Sequence, residues 1–128
     1  MITECFNSYI ESDVKTLCEN YKVIQKHVGP NKVVVPVLKA NGYGFGDIEA
    51  AKAIIPLGAN LIAVAQVCEG VRLRKAGIDI PILVLGGVSP NNVPYAVEFD
   101  IQTIVFTEEN ASRINEEAKK QGKIASVQ

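Results

Sequence analysis

The feature that most constrains the fold is a regular alternation of short apolar runs with longer segments of helical period. The apolar runs begin roughly 20–28 residues apart. They predict strands at 33–38, 61–65, 82–85, 103–106 and 124–127. The segments between them, and one that precedes them, predict helices at 13–28, 47–57, 67–76, 89–97 and 107–121. Such alternation is typical of parallel strands joined by right-handed crossovers, so the sequence predicts an α/β fold.

The number of repeats leaves two architectures open. The chain has four complete strand–helix units and the beginning of a fifth strand in 128 residues. A (β/α)8 barrel needs eight units in about 250 residues. The pattern therefore predicts either an open, doubly wound sheet that ends with this chain or part of a larger barrel. Three helices are predicted to end at Gly58, Gly77 and Gly122, because glycine accepts the positive φ of a helix C-terminus.

Composition narrows the functional classes. The net charge is −1 and the basic residues are scattered, so nothing favours a nucleic-acid or membrane partner. The odd set Cys5, Cys18 and Cys68 predicts reduced thiols, mostly in the core of a cytoplasmic protein, and a lone His27 predicts no metal site. Neither an export signal nor an apolar stretch of the ~20 residues that a membrane span needs is visible.

Lys39 is the strongest functional signal, because it directly follows the apolar run 33–38. Strand side chains alternate, so Val35, Val37 and Lys39 are predicted to share one face, with the lysine at the carboxyl end. Ligand sites of parallel α/β folds lie at that end. Apolar neighbours would partly desolvate the amine and lower its pKa, and a neutral amine suits Schiff-base chemistry. Position alone leaves open a lysine that simply reaches water or pairs with a carboxylate.

The loop after Lys39 carries Gly42, Gly44 and Gly46, which predict a backbone that approaches a ligand and aims N–H groups at it. Asp47 is predicted to open a helix whose N-terminus favours an anion. Tyr43 presents a phenol that can donate to a phosphate oxygen. The glycine spacing fits neither a dinucleotide fingerprint nor a P-loop, and a glycine-rich turn without a ligand stays open.

Other polar residues are given structural interpretations. Glu69, Arg72 and Arg74 lie on a helix predicted to face away from the strand ends, so all three are predicted to be solvated. Asn41 is interpreted as a turn residue. Pro36 conflicts with the strand predicted over 33–38, because proline lacks the donor that a sheet requires.

These residues together resemble a known family. The segment Val37-Leu38-Lys39-Ala40-Asn41-Gly42-Tyr43-Gly44-Phe45-Gly46 is similar to the pyridoxal-phosphate lysine signature of alanine racemases. The resemblance extends in order through the segments 9–11, 58–65, 69–78 and 81–86. Two positions depart from the family, which usually has alanine at Gly42 and histidine at Phe45. These departures bear on substrate preference more than on cofactor binding.

The resemblance implies a fold, a cofactor and a set of site residues. Residues 1–128 would form the first half of an N-terminal (β/α)8 barrel, without the second half-barrel and the β-rich domain that follow in the family. Lys39 would form the aldimine with pyridoxal 5'-phosphate and move protons on one face of the substrate. Tyr43 would bind the cofactor phosphate, and Val37 and Leu85 would line the pocket. A tyrosine from the partner of a head-to-tail homodimer would serve the other face.

The function implied is cytoplasmic interconversion of L-alanine and D-alanine, which supplies D-alanine for peptidoglycan. The 128-residue chain by itself is expected to be inactive, because the partner tyrosine and most of the phosphate pocket lie beyond it in the family. The alternatives are a racemase of serine or another small amino acid with the same fold, and a non-catalytic pyridoxal-phosphate carrier. A structural module with an empty site is the remaining interpretation.

Overall fold

The structure is a computed structural model that describes residues 8–128. Within this range the helical segments are α1 (Val14–Val28), α2 (Lys39–Tyr43), α3 (Asp47–Ile54), α4 (Val67–Lys75), α5 (Val93–Glu98) and α6 (Glu108–Gln121). The strands are β1 (Ile62–Val64), β2 (Ile82–Val84) and β3 (Gln102–Thr103). Short 3-10 turns cover Ile55–Leu57 and Pro90–Asn92. Cys5 lies outside the described residues.

The sheet is parallel and follows the order of the sequence, β1-β2-β3. Its register places Ala63 opposite Leu83 and Val84 opposite Thr103. Single parallel bridges add one segment beside each outer strand, since Val37 pairs with Ala63 and Thr103 pairs with Val127. Neighbouring chain segments are thus consecutive in sequence and parallel in space, as the alternating pattern predicted.

The helices cover one face of this sheet. Ile62, Val64, Ile82 and Val84 are at most 1% exposed and belong to the core cluster that also contains the buried residues of the long helices. Side chains alternate along a strand, and the intervening Ala63 and Leu83 are outside that cluster but are also buried, at 0% and 6% exposure. The alternation of helices with parallel strands in sequence order is consistent with part of a (β/α)8 barrel, and the α/β prediction is confirmed.

Most predicted helix ends are confirmed, but the helices predicted over 89–97 and 47–57 are partly 3-10 turns, at Pro90–Asn92 and Ile55–Leu57. Asp13 caps α1 by accepting hydrogen bonds from the Thr16 hydroxyl at 2.7 Å and the Thr16 N–H at 3.0 Å. These bonds lower the pKa of Asp13, the hydroxyl contributing most, because both favour the carboxylate. Thr107 caps α6 by accepting from the Asn110 N–H at 3.1 Å. Positive φ angles follow the helical segments at Gly58, Gly77 and Gly122.

Three of the predicted strands, those at 33–38, 103–106 and 124–127, are shorter in the structure than the apolar runs that predicted them. Residues 33–36 form no strand, and the run contributes only the bridge at Val37. Pro36 accepts a hydrogen bond from the Ala63 N–H at 2.9 Å but has no N–H to continue the ladder. The predicted strand 103–106 shrinks to Gln102–Thr103, and 124–127 contributes a single bridge at Val127.

Two further predictions about burial need correction. Cys68 is exposed and Cys18 is half-buried, so neither is the core thiol that was predicted. The helical period of 13–28 predicts that Tyr21 and Ile24 share one apolar stripe, but in α1 only Tyr21 is buried and Ile24 is 50% exposed. No helix among residues 8–128 has the length and hydropathy to cross a membrane.

Arg74, predicted to be solvated, is instead a structural anchor beneath the sheet. Its guanidinium donates to the carbonyl oxygens of Ile78 and Ile80, at 2.6 and 2.7 Å, in the loop before β2. It also donates to the carbonyls of Phe99 and Asp100, both at 3.0 Å, before β3. Partial burial lowers its pKa from an ordinary value that is far above neutrality. Arg74 thus ties the last turn of α4 to the starts of two strands.

Replacement of Arg74 by lysine should lower the free energy of unfolding by about 2 kcal/mol, since an ammonium cannot reproduce the planar fork of donors. Urea denaturation measures the change. The matched control is Arg113→Lys, because Arg113 makes only an exposed pair with Glu109 one helical turn away. That variant should stay within about 0.5 kcal/mol of the parent. Equal losses in the two variants would contradict the anchoring role of Arg74.

Candidate functional site

The predicted site residues Val37, Lys39 and Leu85 lie at the carboxyl edge of the sheet. Val37 pairs with Ala63, which pairs with Leu83 in the next strand. Lys39 and Leu85 each follow two residues after these paired positions, with the segment that contains Ala65 between them. Val37 is half-buried and Leu85 is 42% exposed.

The Lys39 amine is accessible and lies beside Tyr43. Its Nζ is 5.9 Å from the centroid of the Tyr43 ring, and Tyr43 is 66% exposed. Lys39 itself is exposed, so the prediction that apolar neighbours partly bury its amine is wrong for this structure. The ion pairs found among residues 8–128 do not include Lys39. The alternative in which Lys39 pairs with a carboxylate is therefore not observed among these residues.

The backbone after Lys39 makes a left-handed turn. The φ angles of Ala40, Asn41, Gly42 and Tyr43 are 51°, 56°, 61° and 57°. A left-handed conformation costs an L-residue roughly 1–2 kcal/mol, and only glycine is free of this cost. Three non-glycine residues around Gly42 therefore need support from bonds and packing nearby. Strain at a functional site of this kind is held by its surroundings.

The glycine amides of the loop provide part of that support. The Gly42 N–H donates to the Leu38 carbonyl at 3.0 Å, Gly44 to Ala40 at 3.1 Å and Gly46 to Asn41 at 2.9 Å. All three N–H groups are thus used within the turn. The prediction that these amides point at a ligand is wrong, because they stabilise the left-handed backbone.

Asp47 occupies the position that was predicted to attract an anion. Its carboxylate is 1% exposed and accepts from Arg72 Nη2 at 2.5 Å, while its N–H donates to Asn41 Oδ1 at 3.4 Å. The N-terminus of α3 thus already holds its own carboxylate, which Arg72 pairs, so the predicted anion position is filled from within the fold. The prediction that Arg72 is merely solvated is also wrong, since this pair links α3 to α4. Asn41 does more than form a turn, since its side chain bonds to α3.

Glu69 is a further residue that sequence reasoning missed, because it too was predicted to be solvated. Its Oε2 accepts from the N–H groups of Ala65 and Gln66, at 2.9 and 3.0 Å, and so caps the start of α4. Its Oε1 accepts from the Ala40 N–H at 2.7 Å. The spacing of Glu69 three residues after Gln66 is that of a capping box, and this signal was available in the sequence. The bond to Ala40 had no sequence signal.

The site thus combines an amine that forms no ion pair with residues 8–128, a neighbouring phenol and the apolar side chains of Val37 and Leu85. An exposed lysine amine can condense with an aldehyde once it loses its proton. The Tyr43 hydroxyl can donate to an anionic oxygen. Among residues 8–128 no group of three or more His, Cys, Asp or Glu side chains is arranged to hold a metal ion.

The Asp47–Arg72 pair should show an asymmetric response to mutation. Arg72→Met leaves a carboxylate that is almost fully buried without its partner, and we expect a loss of about 3 kcal/mol in unfolding free energy. Asp47→Asn leaves Arg72 free to turn into water, because its side chain is 46% exposed, and should cost about 1–2 kcal/mol. The double variant should lose clearly less unfolding free energy than the sum of the losses in the two single variants. Additive losses in urea denaturation would contradict the coupling.

Comparison with known proteins places this geometry in a family. Residues 12–128 match the family model described as alanine racemase, N-terminal domain. The alanine racemase of Desulforamulus reducens is 38% identical over 119 residues, which are 93% of this chain and 32% of that protein. The chain therefore spans about a third of the length of such relatives.

Solved structures agree with the sequence match. The alanine racemase of Clostridium difficile 630 in complex with cycloserine superposes with a TM-score of 0.84 and 34% identity, over 89% of this chain and 30% of that one. The histidine racemase of Leuconostoc mesenteroides superposes with a TM-score of 0.79 and 30% identity, over the same shares of the two chains. The chain belongs to the alanine racemase family and corresponds to its N-terminal domain.

Proposed function

We propose that this chain is the N-terminal part of a pyridoxal-phosphate-dependent amino-acid racemase in which Lys39 is the attachment point of the cofactor. The observation that carries the proposal is the exposed, unpaired Lys39 amine beside Tyr43 at the carboxyl edge of a parallel sheet. Membership of the alanine racemase family supports it. Residues 8–128 then belong to the cofactor-binding barrel domain, and the complete activity requires the rest of that architecture.

The residues present fit the proposed cofactor. Lys39 Nζ, once deprotonated, can bond to an aldehyde carbon with loss of water. The Tyr43 hydroxyl, 66% exposed next to the amine, can donate to a phosphate oxygen. Val37, which is half-buried, and Leu85, which is 42% exposed, provide apolar surface near the carboxyl ends of the strands. When bound, pyridoxal phosphate supplies an electron sink that allows a proton to leave the α-carbon of an amino acid.

Lys39 serves one face of the reaction in this proposal. Racemisation requires that a proton leave one face of the α-carbon and that another arrive from the opposite face. Lys39 reaches its face from the sheet edge and acts there as base or acid. Tyr43 lies on the same side as Lys39, so the opposite face needs a group from outside residues 8–128. A homodimer in which the partner provides that group completes the site.

Alanine is the substrate that the family supports best. Interconversion of its two forms in the cytoplasm then supplies D-alanine for peptidoglycan. A second candidate is another amino acid on the same fold, and the similarity to a histidine racemase favours keeping it. Gly42 and Phe45, which depart from the family pattern, stand in the loop beside Lys39 and are the positions at which substrate preference can differ. A pyridoxal-phosphate carrier is the outcome if the full-length protein binds the cofactor and racemises nothing.

Incubation with pyridoxal phosphate followed by borohydride should give a stable adduct on Lys39, located by mass spectrometry of peptides. Lys39→Ala should lose the adduct at this position, because the amine at the sheet edge is removed. The control Lys52→Ala removes an exposed lysine in the last turn of α3 and should leave the Lys39 adduct unchanged. A wild-type chain labelled equally at its surface lysines, with no preference for Lys39, would contradict the proposal.

Tyr43→Phe should weaken cofactor affinity about tenfold, since one hydrogen bond to a charged oxygen is lost and the ring remains. Absorbance titration of the cofactor measures the dissociation constant. Tyr95→Phe is the matched control, because Tyr95 is a comparably exposed phenol, 53% exposed, on α5. Equal affinity of the Tyr43→Phe variant and the parent would remove Tyr43 from the phosphate site.

A further inference from the structure

We propose that Glu69 is a positioning residue for Lys39, and this inference rests on the function proposed above. The carboxylate lies between two elements that are distant in sequence. Its Oε2 is shared by the Ala65 and Gln66 amides of the α4 cap, and its Oε1 accepts from the Ala40 amide at 2.7 Å, the shortest of the three bonds. Glu69 thereby holds the peptide that joins Lys39 to Ala40 against the end of β1.

The left-handed turn cannot satisfy this peptide by itself. The first amide to bond inside the turn is that of Gly42, which donates to the Leu38 carbonyl. The Ala40 N–H precedes it and finds its acceptor on α4. Because the peptide unit is planar, fixing the Ala40 N–H also fixes the Lys39 carbonyl and so restricts rotation about the Lys39 Cα–C bond. The Leu38 N–H, which donates to the Ala63 carbonyl at 2.8 Å, restrains the backbone on the other side of Lys39. Glu69 therefore restrains the backbone from which the Lys39 side chain starts.

A cap alone does not explain the geometry. Capping of α4 needs an acceptor for the Gln66 amide, and Oε2 provides it. The second oxygen is directed at a residue 29 positions earlier in the chain. Ala40 is exposed, so water can replace this bond with little loss of stability. Water does not fix a peptide plane, however. The turn also needs restraint because Ala40, Asn41 and Tyr43 adopt positive φ angles that are unfavourable for residues other than glycine.

The consequence for chemistry is a change in rate rather than in fold. A reacting group that is held within its productive geometry reacts much faster than one that samples several orientations, and displacement by 1 Å can cost about a hundredfold. Loss of one of several restraints on the Lys39 turn should cost less. We expect roughly a tenfold slower reaction of Lys39 with the cofactor aldehyde when the Ala40 bond is absent.

The test uses Glu69→Asp, Glu69→Ala and a matched control in the 128-residue chain. Aspartate keeps the negative charge at the start of α4 but is one methylene too short to span both elements. Thr107→Ala removes the N-cap of α6, which accepts from the Asn110 amide and follows β3, three positions along the sheet from the segment of Lys39. It should destabilise the protein about as much as the loss of one cap does. If Glu69→Ala does not fold, the aspartate variant decides.

The first readout is amide hydrogen exchange by NMR, which needs no cofactor. The Ala40 amide should exchange about tenfold faster in both Glu69 variants and should be unchanged in Thr107→Ala. In Glu69→Asp the Gln66 amide should stay protected, because the shorter carboxylate still reaches the cap. An unchanged Ala40 amide in Glu69→Asp would overturn the proposal.

The second readout is the rate at which borohydride-trapped pyridoxal phosphate accumulates on Lys39. That rate should fall about tenfold in the Glu69 variants and stay within about twofold in Thr107→Ala. Faster exchange at Ala40 with an unaltered trapping rate would show that Glu69 holds the peptide without positioning the amine, which overturns the proposal. A wild-type chain that forms no adduct on Lys39 would refute the proposed function instead, and the exchange data would still decide whether Glu69 holds Ala40.

Discussion

Parallel pairing of the strands is the constraint on which the rest of this structure depends. Because β1, β2 and β3 run in one direction with helices on one face, the carboxyl end of each strand reaches the same edge. Lys39 stands on that edge only because Leu38 and Pro36 bond to the two sides of Ala63. The positions of the helices, the left-handed turn and the polar contacts of α4 all depend on this parallel arrangement. A chain with the same residues in an antiparallel order would disperse them between two edges.

The turn after Lys39 shows how a strained backbone is kept in place. The glycine amides close the turn from inside, and side chains fix it from outside. Asn41 bonds to the first amide of α3, and Asp47 in turn pairs with Arg72 of α4. Position 42 is also closely packed, since a Cβ there would lie 3.2 Å from the Asp47 nitrogen. The loop is therefore a packed element of the fold.

The sequence predicted the repeating architecture well because helix period, caps and glycine stops are local properties. Thr107, Asp13 and Gly122 act where local chemistry required them to act. The position of Lys39 at the sheet edge followed from strand alternation in the same way. The failures concern contacts between elements that are distant in sequence. Arg74 bonds to a carbonyl 25 residues away and Glu69 to an amide 29 residues away, and no local pattern indicates either partner. Pro36 was a local warning, and the shortened first strand followed from it.

Helix α4 contacts both the carboxyl and the amino ends of the strands, through its first and last turns respectively. Glu69 lies in its first turn and contacts the loop that follows Lys39, whereas Arg74 lies near its last turn and bonds to the chain just before β2 and β3. In barrel proteins the first of these edges hosts chemistry and the second sustains the fold. Residues at the carboxyl ends of the strands can therefore change to suit a new amino acid while Arg74 keeps its contacts at the amino ends. A single fold can thus support several specificities without loss of stability.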